Sequence, residues 1–96
     1  MDAQAALNLM QNTFDSMQRS GMISENLKFD PDMVILGAGS VLDSLGFVTF
    51  ISDLEERLCV ELDKEIYLVH HEIDEFNTNS QFLSADTIAR FIERIT

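Results

Sequence analysis

The chain has 96 residues, 46% of them hydrophobic, enough for one domain (residues 1–96) around one modest core. Seventeen acidic residues against six basic ones leave a net charge of −11; this opposes binding to nucleic acid or an anionic membrane and favours a basic protein partner. The single cysteine, Cys59, excludes an internal disulfide, and no apolar run is long enough to span a bilayer.

The opening run Met1-Asp2-Ala3-Gln4 has neither positive charge nor an apolar core, so no secretory peptide is expected and the cytoplasm is the expected compartment. Residues 3–20 read as an amphipathic helix. Ala3, Ala6, Leu7, Met10, Phe14 and Met17 recur at three- and four-residue spacing and share one face. Asp2 is its expected N-cap and Gly21 its stop. Residues 21–43 hold no period. Asp30-Pro31-Asp32 signals a turn and Gly37-Ala38-Gly39-Ser40 a flexible patch. Phe29, Val34, Ile35, Leu36 and Leu42 are too apolar for a free linker, so some of them are expected to anchor this long loop to the core.

A second helix is expected over 44–59, capped by Asp43 or Ser44. Phe47, Ile51, Leu54 and Leu58 form a core stripe flanked by Phe50; Leu45, Val48 and Ser52 form a narrower apolar stripe on another face, suited to a partner. Residues 60–83 are ambiguous. Ile66, Val69, Ile73 and Phe76 fit one short or irregular helix, while Ile66-Tyr67-Leu68-Val69 also fits a strand. Asn77-Thr78-Asn79-Ser80 reads as a loop. Ser84 then caps a last helix over 85–95, with Asp86 in its first turn and Ile88, Phe91, Ile92 and Ile95 on its buried face.

Charge is concentrated between Asp43 and Phe76, where ten acids face Arg57 and Lys64, so this segment holds −8 of the −11. Glu55 and Glu56 are neighbours on a helix and diverge, which suits a solvated docking face better than a catalytic pair. Adjacent His70 and His71 also diverge; His71 and Glu75 at i, i+4 offer at most a weak metal site, and none is expected. Cys59 has no histidine near it in sequence and reads as a packed or partly exposed thiol without a role.

Ser44 has no histidine within twenty positions. A serine at a helix mouth without a base is better suited to modification by another protein than to catalysis. The free N–H groups and positive dipole end of a helix favour a phosphate ester there. No catalytic residues are assigned.

The run Leu42-Asp43-Ser44-Leu45, followed by Val48, Ile51, Leu54, Glu55 and Leu58, resembles the acyl carrier protein family, whose Asp-Ser-Leu signature opens an acidic helix. The order of helix, long loop, acidic helix and last helix extends the resemblance over most of the chain. It implies an all-α four-helix bundle with a long first loop and a short or irregular third helix. It implies a 4′-phosphopantetheine arm, transferred from coenzyme A to Ser44 by a phosphopantetheinyl transferase, that holds acyl groups as thioesters. Asp43, Leu45, Val48, Glu55 and Glu56 would contact the transferase and the acyl-loading and acyl-processing enzymes of fatty-acid, polyketide or related specialised lipid synthesis. Phe47, Ile51 and Leu54 would line part of an acyl pocket, in a monomer with no stable membrane insertion. Gly46 and Thr49 stand where fatty-acid carriers commonly place acids, and the stretch from Leu58 to Ser84 is longer than usual; these departures point to a specialised member. Two rivals remain at this stage: a peptidyl or aminoacyl carrier, and an unmodified acidic helical adaptor for a basic partner.

Overall fold

The computed structural model describes residues 1–37, 40–76 and 83–96, apart from the side chains of His70, His71 and Asp74. In chain order the elements are α1 (Ala3–Arg19), β1 (Val34–Leu36), α2 (Ser44–Leu62), α3 (His70–Phe76), β2 (Leu83–Ser84) and α4 (Ala85–Ile95). The described part is mostly helical, with three longer helices, a seven-residue α3 and a small two-stranded sheet. The expected purely helical architecture is corrected in that respect. The Asn77–Ser80 loop lies outside the described residues, as do Ala38 and Gly39 of the expected flexible patch.

Local signals explain the three longer helices. Asp2 accepts from the Ala5 amide at 2.8 Å and starts α1; Gly21, at φ 85°, ends its exit turn in a conformation that favours glycine. Ser84 Oγ accepts from the Thr87 amide and starts α4. Ala6, Met10, Phe14 and Met17 of α1 meet Phe47, Phe50, Leu54 and Leu58 of α2 and Ile88, Ala89 and Ile92 of α4 in one core. Each fully buried large side chain contributes about 1.5–3 kcal/mol of transfer free energy. Phe50 is fully buried, whereas Ile51 is only half-buried, so the core stripe of α2 is centred one residue earlier than its spacing suggests. Helix α2 also runs three residues past its expected end. It stops where Asp63 turns left-handed (φ 51°) and returns its amide to Cys59 O.

The loop between α1 and α2 is anchored along its length. Gln18 Nε2 donates to Ser24 O and Leu27 O, and Phe29 meets Phe14 edge-on at 5.8 Å. β1 pairs antiparallel with β2, Val34 opposite Ser84 and Leu36 opposite Leu83. Two residues of β1 span one step of β2, a bulge that turns Ile35 into the core. The same loop closes the start of α4: Asp86 N–H donates to Pro31 O and Ala85 N–H to Met33 O. Ser40 completes it. Its hydroxyl lies 2.5 Å from Ile35 O and 2.7 Å from Leu42 O, and accepts from the Leu42 amide.

Residues 66–69 are not helical. Ile66 and Leu68 are buried while Tyr67 and Val69 are exposed, the alternation of an extended chain. Two side chains of α2 hold this segment. Cys59 Sγ accepts from the Ile66 amide and donates to Ile66 O, and Glu55 Oε2 accepts from the Leu68 amide at 2.8 Å. α3 begins only at His70 and packs on α4, with Phe76 edge-on to Phe91 at 5.8 Å and Arg94 over the Phe76 ring.

Candidate functional site around Ser44

Ser44 is the first residue of α2, and Asp43 before it is the N-cap. The Asp43 carboxylate accepts from the Gly46 amide at 2.6 Å, and its carbonyl accepts from the Phe47 amide at 2.9 Å. That cap fixes the direction in which Ser44 leaves the loop. Ser44 is exposed, and among the described residues its hydroxyl makes no hydrogen bond. The amides of Ser44 and Leu45 are also without a protein acceptor there. The first amides of α4, in contrast, are all satisfied by the loop and by Ser84. A phosphate ester on Ser44 Oγ would therefore meet two open donors and the positive end of a 19-residue helix.

Gly46 has a local reason to be glycine. A Cβ there would stand 3.1 Å from Asp43 Oδ1 and 3.5 Å from Leu42 Cβ, crowding the cap oxygen. An acid at this position, the commoner choice in fatty-acid carriers, would press against Asp43.

The outer face of α2 carries the predicted docking residues unequally. Leu45 (69% exposed) and Val48 (59%) stand out in solvent, with Asp43, Ser52 and Glu56 exposed beside them. Met22 is exposed across a groove that also borders Val48, Thr49 and Ser52. Glu55, two turns after Val48 on nearly the same side of α2, is half-buried, and its carboxylate holds the Leu68 amide. That bond joins residues thirteen positions apart, and helical spacing carries no signal for it.

Beside Ser44 lies an open cleft of about 310 Å³, lined by Leu36, Ser44, Phe47, Val48, Ile51 and Ser52. Its surface is largely carbon. Of the three residues expected to line an acyl pocket, Phe47 and Ile51 border this cleft, whereas Leu54 is fully buried in the core behind it. Leu36 was legible only as a loop anchor. It becomes a wall because β1 pairs with β2 and carries it against α2. The residues fit a phosphopantetheine ester at Ser44: an accessible hydroxyl, open amides for the phosphate, and apolar walls within reach.

Among the described residues no group of three or more His, Cys, Asp or Glu is placed to hold a metal ion, and the His70 and His71 side chains lie outside them. No described helix is long and apolar enough to cross a membrane. No known protein family, curated protein or solved structure matches this chain in comparison.

Proposed function

We propose that the chain is a carrier protein: an acyl carrier that holds its cargo on a phosphopantetheine arm at Ser44 and has no catalytic residues of its own. What carries the reading is the Ser44 hydroxyl, exposed and, among the described residues, without a hydrogen-bond partner at the start of α2, on the rim of an apolar cleft. In this reading the helices form an acyl-carrier bundle whose third member is the short α3. A transferase removes the Ser44 hydroxyl proton. Ser44 Oγ then bonds to the phosphorus next to the pantetheine of coenzyme A, and adenosine bisphosphate leaves. Once attached, the arm supplies a terminal thiol that carries an acyl group as a thioester.

The chain's own residues have three tasks in this scheme. Asp43 caps α2 and so orients Ser44. Leu45, Val48 and Glu56 offer an apolar centre with an acidic margin to cationic enzymes. The cleft offers the arm or its cargo a dry wall. Glu55 holds the Leu68 amide through Oε2 and is half-buried, so it offers less of its carboxylate to a partner than exposed Glu56 does.

The test is intact-mass measurement after incubation with coenzyme A and a promiscuous phosphopantetheinyl transferase, beside a known carrier. The expected result is a gain of one phosphopantetheine, lost in Ser44→Ala. No gain, with the control modified, would leave an unmodified acidic adaptor as the better description. A gain that survives Ser44→Ala would move the site. Loading with acyl or aminoacyl groups then separates an acyl carrier from a peptidyl or aminoacyl carrier.

A further inference from the structure

The far end of α2 carries a surface that neither Ser44 nor the outer face of that helix uses. Ser44 opens α2 and Lys64 lies just past its end, so about 28 Å of helix separates them, in a molecule whose longest dimension is 32 Å. At that end an open cleft of about 380 Å³ is bordered by Lys64, Glu65, Tyr67, Val69 and Glu72, and by Ile95 from α4. All six are exposed. Tyr67 (60%), Val69 (43%) and Ile95 (39%) form its apolar part.

The backbone that carries this surface is satisfied along one edge only. Side chains of α2 take that edge: Cys59 bonds both the amide and the carbonyl of Ile66, and Glu55 bonds the Leu68 amide. In an extended chain the amide and carbonyl of successive residues point to opposite edges, so those of Tyr67 point away from these ties. Among the described residues neither the Tyr67 amide nor its carbonyl has a hydrogen-bond partner. The segment is thus a single strand, latched to a helix on one side and open on the other.

We infer that this open edge is a docking surface for an extended, basic segment of a partner protein, which adds as a second strand beside residues 65–69. The inference goes beyond the carrier reading and does not depend on it. The free amide and carbonyl of Tyr67 supply the two bonds that one residue of an incoming strand exchanges. Glu65, Tyr67 and Val69 alternate onto the exposed face. A strand laid beside them sets Lys or Arg against Glu65 and apolar side chains against Tyr67 and Val69. Ile95 widens the apolar floor, and Glu72 adds a second acid against the single cation Lys64 in the lining. A second copy of this chain is a poor occupant, because each copy carries a net charge of −11. A partner held at this end leaves Ser44, at the other end of α2, open to other proteins.

Amide NMR and hydrogen exchange at low salt test this with a short blocked peptide of alternating valine and threonine that carries lysine at both ends. The expected result is saturable shifts at the amides of residues 65–69 and the Ile95 methyls, with little change at Leu45 and Val48. Exchange of the Tyr67 amide should slow, by up to roughly tenfold when about nine-tenths of the protein is bound. Glu65→Lys, at an exposed position, should weaken binding roughly fivefold. The same peptide with glutamate in place of lysine should bind more weakly still. No saturable shift, or binding centred on Leu45 and Val48, would overturn the docking edge. Binding that leaves exchange at Tyr67 unchanged would overturn strand addition. Equal binding of the lysine and glutamate peptides would overturn the basic partner. Concentration-dependent shifts of the same amides without peptide would assign the surface to a second copy and overturn the inference too. Attachment of an arm to Ser44 is read separately by mass and bears on none of these outcomes.

Discussion

Glu55→Ala provides the sharpest test of how α2 holds the segment before α3. The Glu55 carboxylate accepts from the Leu68 amide at 2.8 Å, in a part-buried position beside the buried Leu68 side chain. A hydrogen bond to a charged group contributes about 1.5–3 kcal/mol, and an amide left without a partner adds desolvation. Glu55 is half-exposed, so water can replace part of what is lost, which places the expected loss at about 1.5–2 kcal/mol, the lower part of that range. For a domain of this size that corresponds to a fall in Tm of roughly 6–16 °C. If Leu68 exchanges by local opening, its amide should exchange roughly 10- to 30-fold faster, since about 1.4 kcal/mol is one factor of ten. Glu55→Gln keeps an acceptor oxygen and should lose less than half as much. Residue-resolved hydrogen exchange with thermal unfolding reads both quantities. Exchange of Leu68 in Glu55→Ala within a factor of about two of the parent, less than 0.5 kcal/mol, would refute the latch. Equal damage from alanine and glutamine would show that packing, and not the hydrogen bond, holds the segment.

Asp43→Ala removes the cap on the Gly46 amide and should destabilise by about 1 kcal/mol, whereas Asp43→Asn retains an acceptor and should lose only a few tenths; chemical denaturation separates the two. Phe50→Ala empties the centre of the core and should cost about 3–5 kcal/mol, against a clearly smaller loss for half-buried Ile51→Ala, measured in the same way. The hydrogen bond from the Tyr67 hydroxyl to Glu65, at 3.1 Å, raises the phenol above its usual value of 10.0, with the Glu65 charge acting in the same direction. An absorbance titration should therefore show Tyr67 ionising later than a free tyrosine, and Glu65→Gln should bring the midpoint down.

Much of the helical framework is legible in the chain because its causes are local. Asp2, Asp43 and Ser84 are capping residues within hydrogen-bonding reach of amides three positions on, and they start α1, α2 and α4. The separation of Leu45 and Val48 from the Phe47–Leu54–Leu58 stripe also follows from helix geometry alone, and they are exposed while that stripe is buried. Ile66 to Val69 was ambiguous for a physical reason. A run of four apolar residues satisfies both periods, and the choice fell to Cys59 and Glu55, whose side chains hold the backbone extended from α2.

Sequence by itself determined the place of Ser44: an unassisted serine after a capping aspartate, at the start of an acidic helix. Only the tertiary structure decided what surrounds it. Leu36 becomes a wall of the cleft because β1 meets β2 across nearly fifty residues of chain. Leu54 is excluded from the cleft because it is fully buried in the core, and Glu55 is drawn partly out of solvent because the extended segment after α2 bonds its carboxylate. Caps and helical faces depend on neighbours a few residues away. Walls, floors and latches depend on which distant segments are brought into contact, and that is settled only when the core packs.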